Sequence, residues 1–117
     1  MPSHRPHQRL TAIAERMAAL RQTLGDFDYV CSGTLLRRML PCGNPTCRCK
    51  RDPAQRHGPY YYWGRRHGGR LRQMLLTPSE AELVRGAIRN YRRIRGTLRR
   101  LEAETVKTIE TQRELKR

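Results

Sequence analysis

Between Pro41 and Pro59 the chain holds Cys42, Cys47 and Cys49 with four prolines, two glycines and almost nothing apolar. A segment of that composition cannot order itself by hydrophobic burial, so whatever fold forms must hold it by other means. The means are in the residues themselves. CGNPTCRCK followed by RHGPY spaces three thiols and an imidazole as C-x4-C-x-C-x7-H, with Cys42, Cys47, Cys49 and His57 as the four donors. Three thiolates and one imidazole make a tetrahedral zinc set. Gly43-Asn44-Pro45 provides a tight turn to return Cys42 beside Cys47, while Pro53 and Gly58-Pro59 stiffen the path to His57. Arg48, Lys50, Arg51 and Arg56 offset the charge of the thiolates. An iron–sulfur cluster fits less well with a histidine in the set. Cys31, the fourth cysteine, is read as a small core residue, with replacement of His57 as last ligand the alternative. Four protein ligands leave no site for water and Asp52 is the only acid between residues 33 and 76, so a structural ion is expected and an enzyme is not.

The flanking segments have clear periods. Leu10, Ile13, Met17, Leu20 and Leu24 recur in steps of three and four, predicting a helix over 7–25 that Gly25 ends. A β-biased stretch at Phe27–Val30 and a strand over Gly33–Leu40 follow. Tyr60-Tyr61-Tyr62-Trp63, a Gly68-Gly69 turn and the alternating run from Arg70 predict a β-hairpin. Thr77, Pro78 and Glu80 form a capping-box start for a helix over 77–116. Ala87, Tyr91, Ile94, Leu98, Leu101, Thr105, Thr108, Gln112 and Leu115 give that helix a heptad-like seam. The expectation is a single α+β domain, 1–117. An N-terminal helix leads to a small antiparallel sheet over 27–76, strand plus hairpin, with a zinc-type loop at 41–59. A long basic C-terminal helix then packs on or coils with the first helix.

Charge sharpens the functional expectation. Of 25 basic residues 22 are arginine, against 10 acidic, for a net +15. It divides as +1 over residues 1–32, +9 over 33–76 and +5 over 77–117. Guanidinium matches phosphate in bidentate fashion, which favours a nucleic-acid partner over a merely solvated surface. One basic surface comprises Arg48, Lys50, Arg51 and Arg56 of the loop and Arg65, Arg66, Arg70 and Arg72 of the hairpin. Tyr60 and Tyr62 share one strand face and Tyr61 and Trp63 the other, so one pair covers the core; the other is free to stack on bases or, in a chain with a single Phe, joins the core as well. A second surface is the acid-free stretch between Glu82 and Glu102, with Arg85, Arg89, Arg92, Arg93, Arg95, Arg99 and Arg100, and Gly96 in its midst. Ion pairs along it are expected to be absent. No apolar run approaches the roughly 20 residues of a membrane span, and the first residues lack a secretory pattern, so a cytoplasmic protein is expected.

Ser32-Gly33-Thr34-Leu35, CGNPTCRC and HGPYYYW, followed by a glycine turn and a long basic helix, resemble an uncharacterised bacterial family of short Cys-rich proteins. Members are often encoded near transposases. The resemblance spans roughly residues 28–100. It implies Cys42, Cys47, Cys49 and His57 as the metal set and mobile DNA as the context, but supplies no activity. The leading expectation is therefore a small zinc-stabilised nucleic-acid-binding protein, with DNA favoured over RNA, as an accessory or regulatory factor of a mobile element. Alternatives are a coiled-coil scaffold subunit, possible as a homodimer or docked on a transposase- or recombinase-type protein, and an RNA-binding protein.

Overall fold

The computed structural model describes residues 5–117, which cluster into two units. One is Tyr29–Tyr91; the other takes the chain up to Asp28 together with Arg92–Arg117.

In the first unit, β1 (Thr34–Leu40), β2 (His57–His67) and β3 (Arg70–Leu76) form an antiparallel sheet in the order β1-β2-β3. The β2–β3 hairpin closes as expected at Gly68-Gly69, whose positive φ angles of 60° and 77° suit the twist of a two-residue turn. Pairing aligns Leu36, Tyr62 and Leu75 across the three strands, and Leu35, Trp63 and Met74 in the next row. Alternation then sorts the aromatic residues. Tyr61 and Trp63 pack with Leu35 and Cys31 against a core of Leu76, Ala81, Val84 and Ile88. The last three lie on α2 (Pro78–Leu115), so the sheet buries one face on the start of this helix. Trp63 also donates its indole N–H to the Ser32 carbonyl at 2.9 Å. At Gly33, with φ at 110°, a Cβ would lie 2.4 Å from the Gly64 carbonyl oxygen and 2.7 Å from the Trp63 indole nitrogen. Only glycine lets the chain cross the tryptophan there.

The segment Phe27–Val30 is not a strand. Its polar groups are taken by α2 instead: Asn90 donates its side-chain N–H to the Tyr29 carbonyl at 3.0 Å, and Cys31 N–H donates to the Ala87 carbonyl at 3.2 Å. With those bonds made, β propensity has no ladder to express itself in. α2 begins on the expected capping box. Thr77 N–H donates to Glu80 Oε1 at 2.8 Å and Glu80 N–H donates to Thr77 Oγ1 at 3.2 Å. The Thr77 backbone N–H, and then the Thr77 hydroxyl, hold the Glu80 carboxyl below the usual carboxylate range.

In the second unit, α1 (Pro6–Gln22), continued by a 3-10 turn at Thr23–Gly25, runs antiparallel to the later part of α2. The cross-links establish the direction: Arg9 with Glu114, Arg16 Nε with Glu104 Oε1 at 2.5 Å, and Thr23 with Thr97 at 3.5 Å between hydroxyls. Ile13 is buried on α1, and Thr97, Glu104 and Thr111 on α2. The expected seam is thus displaced by one position at three points: Thr97, Glu104 and Thr111 replace Leu98, Thr105 and Gln112. Leu98 remains 53% exposed and Leu115 39%. Polar matching decides this register. α1 presents Arg16 and Thr23, which satisfy Glu104 and Thr97, while Thr108 and Thr111 hydroxyls donate to their own helix carbonyls at Glu104 and Lys107. Buried polar groups so satisfied carry little penalty.

Arg16, through its hydrogen bonds and then its charge, holds the Glu104 carboxyl below the usual range. The folded state therefore prefers the ionised form, a stabilisation present above the unfolded value of about pH 4.3 and lost as pH falls through the lowered folded value. Acid titration followed by far-ultraviolet circular dichroism is expected to show this loss of helix. Glu104→Gln should be less stable near neutral pH and lose this component of the acid transition; an unchanged acid limb would contradict the role of the pair.

Candidate metal centre

The loop 41–56 is the connection between two adjacent antiparallel strands. Leu40 at the end of β1 lies opposite His57 at the start of β2, with a register irregularity between Arg38 and Leu40. Cys42, two residues beyond β1, and His57 are thereby brought to one end of the sheet without any packing by the loop itself. Between them the chain is organised by side-chain-to-backbone bonds. The Asn44 side-chain oxygen accepts from Thr46 N–H at 3.0 Å and Thr46 Oγ1 at 2.8 Å, and the Asn44 carbonyl accepts from Cys47 N–H at 3.2 Å. That turn begins the return expected from Gly43-Asn44-Pro45. A 3-10 turn at Arg48–Lys50 carries Cys49 inward, and Asp52 caps a second at Pro53–Gln55 by accepting from Ala54 N–H at 3.0 Å.

The four expected donors converge. Cys42, Cys47 and Cys49 sulfurs and a His57 ring nitrogen all lie within 4.8 Å of one another. Cys42 Sγ and Cys49 Sγ are 3.5 Å apart, and Cys47 Sγ and His57 Nε2 3.3 Å. A tetrahedral ion with sulfur bonds of about 2.3 Å and nitrogen bonds of about 2.0 Å requires S–S and S–N edges of about 3.8 Å and 3.5 Å. The set fits a metal ion with only small adjustment. Cys42 N–H donates to Cys49 Sγ at 3.1 Å, a bond suited to a thiolate ligand. Cys49 is buried, Cys42 and Cys47 half-buried and His57 exposed.

The thiols differ in acidity. A hydrogen bond from the Cys49 backbone, then one with His57, lowers Cys47 to about 6, while burial raises Cys49. Cys47 is thus ready to ligate near neutral pH, whereas Cys49 would give up its proton only in exchange for an ion. Cys31 stands apart from the cluster, against the core of the sheet unit, and burial raises its thiol as well. It plays the small-core part expected of it.

The basic residues singled out from sequence fall into several places. Arg48, Lys50, Arg51 and Arg56 are exposed on the loop that the four donors close. Tyr60 and Tyr62 lie on the sheet face opposite the core, with Leu36 and Leu75 in the same row as Tyr62. Arg66 shares that face; Arg65 and Arg72, opposite each other in register, lie on the other face, and Arg70 pairs with His67 at the hairpin tip. The Arg65 guanidinium rests 4.9 Å from the Trp63 ring centre. On α2, Arg85 and Arg89 belong to the sheet unit, and Arg92, Arg93, Arg99 and Arg100 to the helical unit. Arg85 pairs with Glu82, so the expected absence of ion pairs fails there: the acid three residues back lies within reach. Arg93 lies over Phe27 at 5.5 Å.

Arg38 belongs with the aromatic face and was not among the residues chosen from sequence. Its guanidinium lies 5.9 Å from the Tyr62 ring centre. The signal was the alternation of Leu36 and Arg38 on β1, which becomes informative only once β1 is paired with β2.

Among the described residues no helix is long and apolar enough to cross a membrane. A family model described as a domain of unknown function, DUF6788, matches residues 4–86. The match takes in α1, beyond the start of the span suggested by the sequence motifs, and ends within α2. No curated protein and no solved structure matches the chain.

Metal analysis of the purified protein is expected to find one ion per chain. Cys49→Ser should lose it and Cys31→Ser retain it. Equal metal content in both variants would break the assignment of ligands.

Proposed function

The chain belongs to the DUF6788 domain family, and we propose that it is a small zinc-stabilised nucleic-acid-binding protein acting on DNA. The observation that carries this reading is the open face of the sheet. There Tyr60 and Tyr62 stand beside Arg38 and Arg66, next to a loop bearing four further cations. Aromatic rings on an uncovered sheet are platforms on which unpaired bases stack, and guanidinium groups around them neutralise phosphates. Zinc is the ion favoured by three thiolates and an imidazole. Because the four donors complete a tetrahedron, the ion's part is structural: it holds Arg48, Lys50, Arg51 and Arg56 at the edge of the stacking face. The protein is a binding module, not an enzyme. DNA is favoured over RNA by the resemblance to proteins encoded beside transposases, which also suggests an accessory role at a mobile element.

A second reading, a helical scaffold forming a homodimer or docking on a recombinase-type protein, draws on Leu98, Val106 and Ile109, all about half exposed on α2. Light scattering with and without DNA separates the two, since an oligomer indifferent to DNA supports the scaffold.

The direct test is fluorescence anisotropy with single-stranded DNA across a salt series, RNA of the same sequence serving as competitor. Log affinity is expected to fall with log salt at a slope of about −0.7 per neutralised phosphate. Tyr60→Ala with Tyr62→Ala should cost about 1–3 kcal/mol per stacked base, with circular dichroism unchanged. Salt-independent binding, or full affinity in the tyrosine variant, would refute the mechanism.

A further inference from the structure

The helical unit contains a cavity of about 330 Å³ between the end of α1 and α2. Arg92, Arg93 and Arg100 line it from α2, Gly96 opens its floor, and Thr23 and Phe27 line it from the chain after α1. No carboxylate is among its lining residues. The acids cross-linking this unit, Glu104 and Glu114, are engaged by Arg16 and Arg9. Three guanidinium groups around a concavity whose lining holds no carboxylate favour an anion. Arg93 is held by its position over the Phe27 ring, so part of the ordering that anion binding requires is already made.

From these features we infer that the cavity is a nucleotide pocket that grips a terminal phosphate monoester, presented either by a free mononucleotide or by the phosphorylated end of a strand. Size argues against a bare anion, because pockets for organic ligands begin at about 300 Å³. The apolar surface of Phe27 suits a sugar or base; the Thr23 hydroxyl beside it is already engaged, donating to the Leu20 carbonyl at 2.7 Å. Charge distinguishes the ester. A terminal monoester carries close to two negative charges at neutral pH where an internal diester carries one, and three guanidinium forks reward the former. Gly96 contributes by absence: a Cβ there would meet nothing within 4 Å, so the space above it belongs to the cavity. These residues are separate from the sheet face and the metal loop. In its strand-end form the inference rests on the nucleic-acid reading; in its free-nucleotide form it stands alone.

The test uses the full metal-loaded chain. Calorimetric titration with adenosine monophosphate forms one arm. Anisotropy with one oligonucleotide carrying either a 5′ phosphate or a 5′ hydroxyl forms the other. A strand-end pocket predicts about tenfold tighter binding of the phosphorylated strand. A free-nucleotide pocket predicts saturable binding of adenosine monophosphate with no difference between the strands. Arg92→Gln with Arg100→Gln, and independently Gly96→Leu, which fills the cavity without altering charge, should abolish whichever preference is seen. If no oligonucleotide binds, the nucleic-acid reading fails and the adenosine monophosphate arm alone decides the pocket. No adenosine monophosphate binding together with no preference for the phosphorylated strand overturns the inference, as does a preference that survives both pocket variants.

Discussion

The pairing of Leu40 with His57 is the constraint on which the metal centre depends. It closes a loop that has almost no apolar residues with which to close itself, and it does so with the ladder bonds of the sheet. Loop-closure entropy grows only slowly with length, so strand pairing at the loop's ends offsets much of it, and a chelated ion would add to that. Once the ends are fixed, the Asn44 turn and the two 3-10 turns have only to rotate Cys47 and Cys49 inward. The opposed acidities of these two thiols then have a simple meaning: local hydrogen-bond donors favour the thiolate of Cys47, while burial disfavours that of Cys49.

That dependence matters because the core it adjoins is small. Leu76, Ala81, Val84 and Ile88 are its buried members, and one is an alanine. A core of this size is where small domains recruit metals. Sheet and donor cluster therefore belong together: the sheet brings Cys42 and His57 to one end, and an ion held there would resist separation of β1 from β2. The open face of the sheet gains from this, since Tyr60 and Tyr62 follow three and five residues after His57 on the strand so anchored.

What could be read from sequence was what neighbours in the chain decide. The capping box at Thr77 and Glu80, the Gly68-Gly69 turn and the four ligands each depend on residues a few positions apart. The sorting of Tyr61 and Trp63 from Tyr60 and Tyr62 followed from strand alternation alone. Failures arose where a distant partner decides. Leu98 is the better apolar residue, yet Thr97 is buried, because α1 brings Thr23 to that position and Arg16 to Glu104 one heptad further on. Phe27–Val30 has strand-like composition, but Asn90 and Ala87 of α2 claim the backbone of Tyr29 and Cys31. Arg38 became a member of the aromatic face only through pairing with β2, which no local pattern in β1 announces.

The same distinction applies to the positive charge. In sequence the arginines of α2 form one stripe, and a stripe of like charges calls for one extended polyanion. In the folded protein they have separate circumstances. Arg85 is neutralised by Glu82, Arg93 is laid on Phe27, and Arg92 and Arg100 open onto a cavity with Gly96 between them. On the sheet, Arg65 is taken up by Trp63 while Arg38 attends Tyr62 on the opposite face. A net charge of +15 sets the long-range attraction to phosphate. On the proposed binding surfaces, selectivity at contact distance would rest with the few guanidinium groups held in place by an aromatic ring, because a positioned fork loses less freedom on binding than a solvated one. Arg38 and Arg93 are such groups, and each stands beside surface that a base can occupy.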